Sequence, residues 1–257
     1  MKKLICLLIL SLVFLTGCGK KPEKNALEQI LDRDVLVVGV KTDSKPFGFI
    51  SNTSGDYEGF DVDVARYIAK DLLGSERKIK FVSIDSSNRI EAITSGQVDM
   101  AIATMSITPQ RQYLIDFSIP YYIAGQTAMV REDSDIYSFG DLKRKTIIIS
   151  LGSTAEKNIR RILPTTKMIG YKSHHEAFQA LQEGKGDALS DDDVILAGYM
   201  IDNQGYRLIK TRISREPYAI GIKQYEDKTL KITLDDIITR MKKDGTIKEL
   251  KEKWHLK

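Results

Sequence analysis

Residues 34–40, DVLVVGV, form a continuous apolar run, the pattern of a strand buried on both faces. In GFDVDVARYIAKDLLG (59–74) the period changes. Val62, Ala65, Ile68, Ala69 and Leu72 share one helical stripe, and Gly74 marks a stop. KIKFVSI (78–84) returns to a strand pattern. Strand, helix and strand in this rhythm predict α/β units around a parallel sheet. The next stretch, IDSSNRIEAI (84–93), reads as the entry to a half-buried helix capped by Ser86 or Ser87, with Ile90 and Ile93 facing a core. Arg89 sits at that entry. It is either a solvated charge or a cation aimed at something.

One supersecondary unit occurs twice. EAITSGQVDMAIAT (91–104) lies over QALQEGKGDALSDD (179–192) without a gap, matching Ala92 to Ala180, Ile93 to Leu181, Gly96 to Gly184 and Asp99 to Asp187. Each copy reads as a helix end, a glycine stop and a short buried strand. Thr104 and Asp192 then fall at equivalent positions just past a strand's carboxyl end, where open α/β sheets bind ligands. Two such lobes facing each other make a cleft. DFSIPYYIAGQTAMV (116–130) and REPYAIGI (215–222) are extended, β-rich runs that suit two crossings between lobes. The segment from Lys228 onward is helical, with a break at Asp244-Gly245, and is expected to pack back on the first lobe.

The chain opens differently. In MKKLICLLILSLVFLTGC two lysines precede an apolar run from Leu4 to Leu15. That run is too short to span a bilayer, which takes roughly 20 residues, and has the form of a secretory signal. Leu15-Thr16-Gly17-Cys18 resembles a bacterial lipobox, which implies lipidation of Cys18 and a lipid anchor on the extracytoplasmic face of the cell membrane. Residues 18–33 are read as the lipidated N-terminus and a polar tether. Removing Lys2 and Lys3 with the signal lowers the formal charge from +4 to +2, too weak and too dispersed for nucleic acid. Cys6 and Cys18 are the only cysteines, so the mature chain has no pair for a disulfide or thiolate metal site.

Catalytic signatures are missing: there is no Gly-rich phosphate loop, HExxH or nucleophile elbow. His174 and His175 open a helix and read as solvated. Asp191, Asp192 and Asp193 are consecutive and do not converge as a chelating loop requires; Asp193 is expected to cap a helix. TMSITPQR (104–111) is richer. Thr104, Ser106 and Thr108 offer alternating hydroxyls, and Arg111 follows in a turn opened by Pro109. Arginine's planar fork matches a carboxylate bidentately. In ISLGSTAEKNI (149–159), Ser153 or Thr154 sits near a helix N-terminus, which favours an anion.

GFDVDVA (59–65), SGQVDMAIATMSITPQR (95–111), GKGDALSDDD (184–193) and DGTIKELKEKW (244–254) together resemble the extracellular solute-binding protein family 3 of amino-acid ABC importers. The resemblance runs from about Val35 to Trp254. It implies a two-lobed periplasmic-binding-protein-like fold of type II, with an interlobe cleft and two extended crossings. Lobe 1 is expected over 34–121 and 218–257, and lobe 2 over 122–217. By the same resemblance Arg111 holds a ligand α-carboxylate beside Ser106, Thr104 and Thr154, and Asp192 takes the α-ammonium. Arg89, Lys41 and Ser86 face the ligand side chain. Two cations there resemble the glutamate/aspartate branch, including its Asn-Arg-Ile. The implied protein is a monomeric lipoprotein that delivers an acidic amino acid to an ABC permease, without cofactor or catalysis. Glutamine or another polar amino acid is the alternative ligand. A dehydratase acting on a cyclic amino acid and the sensory domain of a larger receptor are the alternative functions.

Overall fold

The computed structural model describes residues 24–256; the segment read as a signal and Cys18 lie outside them. The chain enters through helix α1 (Ala26–Arg33). The Asn25 side chain accepts from the Glu28 N–H while Glu28 reaches back to the Asn25 N–H, a reciprocal capping box. Ile30 is buried in the core. The tether expected over 18–33 is thus helical and packed in its last eight residues, because the Asn-x-x-Glu spacing nucleates a turn whose apolar face has a core to meet.

Strand β1 (Leu36–Val40) leads into a small antiparallel sheet of β2 (Asp43–Ser44), β3 (Gly48–Ile50) and β4 (Tyr57–Glu58). Helix α2 (Phe60–Leu73), β5 (Ile79–Ser83), α3 (Arg89–Thr94), β6 (Met100–Ala101), α4 (Pro109–Gln112) and β7 (Ile115–Phe117) follow. Next come β8 (Tyr122–Ala124), β9 (Gln126–Arg131), β10 (Thr146–Ser150), α5 (Ala155–Ile162), β11 (Lys167–Tyr171), α6 (His174–Gln182), β12 (Ala188–Asp192), α7 (Asp193–Asp202) and β13 (Tyr206–Leu208). The chain returns through β14 (Glu216–Tyr218) and ends with β15 (Gly221–Lys223), α8 (Thr229–Lys243) and α9 (Thr246–Lys253).

Two five-stranded sheets result, ordered β5-β1-β6-β15-β7 and β11-β10-β12-β9-β13. In each, the first three strands in that order are parallel and the fourth runs antiparallel to both its neighbours. Each sheet carries apolar clusters on both faces, so these are two lobes with two cores. The crossings pair as β8 with β14. Phe47, Phe60, Tyr122 and Tyr218 pack edge-on there, with ring centroids 5.1–5.9 Å apart.

The repeated unit is visible atom by atom. Gly96 and Gly184 end their helices at φ 77° and 71°, a left-handed conformation that costs glycine nothing. Asp99 accepts the Val37 N–H at 2.7 Å, and Asp187 accepts the Thr146 N–H at 2.7 Å. In both lobes, then, an aspartate before the inner strand clamps the start of the neighbouring parallel strand. The carboxyl ends of β1, β6, β10 and β12 face one another across the cleft.

Candidate functional site

Lys41 leaves the carboxyl end of β1 and is 2% exposed. The turn after β5 is built by Asp85, whose Oδ1 accepts the N–H groups of Ser87 and Asn88 at 2.7 and 3.0 Å. Asn88 answers by accepting the Asp85 N–H. Neither Ser86 nor Ser87 caps α3; Asn88 holds the cap position. The carboxylate outcompetes a hydroxyl because it takes several N–H groups at once. Ser86 and Arg89 are thereby released to the cleft side, and both are buried. Arg89 is 2% exposed and donates through Nη1 to the carbonyls of Ala103 and Thr104 (2.7 and 3.3 Å) and through Nη2 to Gly152 of the other lobe (3.4 Å). Burial first, then neighbouring Arg111, pull its pKa down to about 9, so it is still a cation at neutral pH.

Past β6, Thr104 adopts φ 46°, a left-handed conformation unusual for a β-branched residue. Asp61, from the first turn of α2, holds it there: Oδ2 accepts the Thr104 N–H at 2.9 Å and Oδ1 accepts the Tyr121 hydroxyl at 2.8 Å. Burial pushes the Asp61 carboxyl up to about 6, against the pull of these bonds. The Thr104 hydroxyl and Arg89 Nε are both buried without a hydrogen-bond partner among the described residues. Thr108 caps the short α4 and aims Arg111 back. Arg111 donates to the Ser106 carbonyl at 2.7 Å and, across the cleft, to the Gly152 carbonyl at 2.9 Å. Among the described residues no carboxylate lies within ion-pair distance of Arg89 or Arg111.

The second lobe supplies the facing wall. Ser153 and Thr154 stand where β10 gives way to α5, with the Ser153 hydroxyl donating to the Ser150 carbonyl at 2.6 Å. Asp192 occupies the cap position of α7, and its Oδ2 accepts the Tyr218 hydroxyl at 2.5 Å. Burial beside Asp191 drives the Asp192 carboxyl well above the usual range. Asp193 is therefore not the cap. It is the first helical residue, and its carboxylate ties α7 to the crossing through the Gly125 N–H.

His174 corrects a further expectation. It is buried, 4% exposed, and faces the cleft; His175 lies at the surface. His174 Nδ1 sits 2.7 Å from Asp191 Oδ2, while Nε2 meets Lys41 Nζ at 2.5 Å. The tautomer these distances fit has Nδ1–H donating to Asp191 and Nε2 accepting from the Lys41 ammonium. Asp191, the one acid of the run to which the sequence assigns no role, also accepts the Ser150 hydroxyl at 3.0 Å. Opposing the rise from burial, His174 and Lys41 hold its pKa at about 2. Burial lowers Lys41 to about 8, with Arg89 adding to the effect.

Lys41, Ser86, Arg89, Thr104, Ser106, Arg111, Ser153, Thr154 and Asp192 all line one nearly filled interlobe pocket of about 10 Å³, joined by His174, Asp191 and Ile195. One end presents a guanidinium fork with adjacent hydroxyls, a setting for a carboxylate. Asp192 offers a seat for a cation, and Lys41, Ser86 and His174 form a polar end wall.

Two α/β lobes with an enclosed polar pocket between them define a class of capture protein. The chain belongs to the bacterial extracellular solute-binding proteins, family 3, whose model matches residues 36–257. The ABC transporter glutamine-binding protein GlnH of Bacillus subtilis is 38% identical, over 99% of this chain and 97% of that protein. The glutamate-binding protein GluB of Corynebacterium efficiens is 31% identical, over 93% and 84%. The cysteine-binding protein of Campylobacter jejuni superposes with a TM-score of 0.85 at 33% identity, over 90% of this chain and 93% of that one. The two-lobed fold is therefore that of the amino-acid-binding periplasmic proteins. No described helix is long and apolar enough to cross a membrane.

Proposed function

We propose that this protein captures an α-amino acid for an ABC importer and that glutamine is its preferred ligand. The observation that carries this reading is the opposition of Arg111 and Asp192 in one interlobe pocket beside the Thr104 hydroxyl, which has no partner among the described residues. Arg111, Thr104, Ser106 and Thr154 take the α-carboxylate. Asp192 takes the α-ammonium, whose charge offsets the repulsion from Asp191. At the far end Lys41 faces a counter-charge in Asp191 through His174, and Arg89 is engaged by three carbonyls. A neutral amide fits such a wall: its oxygen accepts from Lys41 or Ser86, and no free cation calls for a second carboxylate. The likeness to GlnH supports the same choice. Binding without turnover fits too, since Asp192 is committed to a hydrogen bond with Tyr218 and to the ammonium.

The acidic ligand is the second reading, favoured by three cations around one pocket and by the likeness to GluB. Calorimetric titration with glutamine, glutamate and aspartate separates them. Glutamine binding at least about tenfold tighter than either acid supports the amide; glutamate tighter than glutamine overturns it. Binding of none of the α-amino acids overturns the capture reading itself.

A lipid anchor at Cys18 completes the proposal. Cys18→Ala should move the protein from the membrane to the soluble fraction while ligand affinity stays unchanged, checked by fractionation and calorimetry. Unaltered membrane partitioning would remove the anchor.

Closure can be tested away from the pocket. Gly198, inside α7, packs so close to the first lobe that a Cβ there would stand 1.9 Å from the Lys45 carbonyl. Alanine favours a helix over glycine by about 1 kcal/mol, so Gly198→Ala leaves the second lobe intact and blocks only the approach of the lobes. Affinity for every ligand should fall about tenfold or more, with a larger radius of gyration by X-ray scattering in ligand. Unchanged affinity would show that the lobes need not approach this closely.

A further inference from the structure

We propose that Lys41 and His174 form a partition that sets the length of ligand side chain the protein accepts, with a chamber beyond it suited to a cationic end. The inference rests on the amino-acid reading above. A second cavity of about 650 Å³ lies between the lobes, and the two cavities share their walls residue by residue. On β1 and its loop, Lys41 lines the ligand pocket and Thr42 and Asp43 the chamber. After β5, Ser86 and Arg89 line the pocket while Asp85 and Asn88 line the chamber. At the start of α6, His174 faces the pocket and Ser173 and His175 face the chamber. On α7, Ile195 faces the pocket and Gly198 and Tyr199 the chamber. Four segments thus present alternate side chains to two spaces. Between them the lobes are bridged at His174, in lobe 2, which accepts from the Lys41 ammonium of lobe 1 at 2.5 Å and stands 3.5 Å from the Ser86 hydroxyl.

The charge pattern says what the chamber would accept. Asp43 lines it, accepting the His175 N–H at 3.2 Å while its carbonyl accepts the Tyr199 hydroxyl at 2.7 Å. Burial works to raise its pKa, but His174, Lys41 and the His175 N–H together pull it below the usual range. Asp85 lines the chamber too, and Lys45, the cation in its wall, pairs with Asp202 at 2.6 Å and lies 5.4 Å over the Phe49 ring; Phe178 and Tyr199 add aromatic surface suited to a guanidinium or ammonium. The Lys41 ammonium occupies the position where a longer cationic side chain would pass, and it supplies the charge that Asp191 and Asp43 require. Shortening Lys41 removes a wall and a positive charge together. A ligand with a long cationic side chain restores both, whereas glutamine restores neither.

Lys41→Ala and His174→Ala are the test, read by calorimetry against L-glutamine, L-arginine, L-lysine and L-norleucine, with melting curves to confirm folding. Wild type should bind glutamine and reject arginine and lysine. In Lys41→Ala glutamine should weaken by roughly 30-fold or more, the range for truncating one member of a buried charge pair. Arginine and lysine should gain at least about tenfold over wild type, and norleucine should not. His174→Ala should admit the longer ligands from the other lobe, and adding Asp43→Asn to Lys41→Ala should cancel the gain. The partition is overturned if wild type binds arginine as tightly as glutamine. It is equally overturned if norleucine gains as much as arginine, or if whichever variant folds gains neither cationic ligand. A wild type that binds no α-amino acid would instead sink the capture reading.

Discussion

Arg111→Ala should weaken every α-amino acid ligand together, by roughly 30- to 5,000-fold, the range for stranding one member of a buried charge pair. The group it removes has two tasks. Its fork faces the pocket without a carboxylate partner, and Nη2 reaches the Gly152 carbonyl of the opposite lobe. Loss of the side chain therefore removes an anchor for the shared α-carboxylate and a bond that forms only when the lobes meet. Neither task depends on the ligand side chain, so the loss is uniform. Folding should survive, because Arg111 lies on a four-residue helix with no buried residue, and a melting curve without ligand checks it. Arg111→Lys keeps the charge but loses the planar fork, and should fall between wild type and alanine. A variant that lost glutamine yet kept glutamate would place Arg111 at the side-chain end and reverse the ligand's orientation.

How much of this site is legible in the sequence depends on how local each determinant is. The echo of 91–104 in 179–192 needs only short-range pattern, and the structure gives both copies the same glycine stop and the same aspartate clamp. Arg111 is legible for a similar reason, since Thr108 and Pro109 aim it from within four residues. His174 is not. In Ser-His-His-Glu it looks like the polar start of an exposed helix, and its capping box strengthens that look. Its burial comes from Asp191, brought to it by the pairing and packing of its own lobe, and from Lys41, 133 residues away, which meets it only when the two lobes close. Asp191 is hidden likewise within a run of three acids, and which of the three faces the cleft follows from the pairing of β12 with β10 and β9. The cap of α3 is misread for another cause. Serine is a good cap residue, but Asp85 gathers the turn's N–H groups first and frees Ser86 for the pocket.

Arg89 is the residue on which the acidic and amide readings part. In sequence it is a cation without an evident partner, which argues for a ligand carboxylate. In the structure its guanidinium ties the Ala103 and Thr104 carbonyls of its own lobe to the Gly152 carbonyl of the other, leaving Nε without a partner among the described residues. The first two bonds brace the strained turn that presents Thr104. On the amide reading, Arg89→Gln should weaken glutamine and glutamate alike, by about tenfold or more, because the turn loosens and a contact across the cleft is lost. The ratio of the two affinities should stay within about a factor of two. On the acidic reading the same substitution removes the partner of a distal carboxylate, so glutamate alone should fall, by roughly 30-fold or more relative to glutamine. The ratio decides, since any general loss of folded protein lowers both ligands equally. A ratio that shifts thirtyfold against glutamate would make Arg89 a ligand contact and restore the acidic assignment. An unchanged ratio with both affinities lowered would make it a positioning residue whose object is the Thr104 turn.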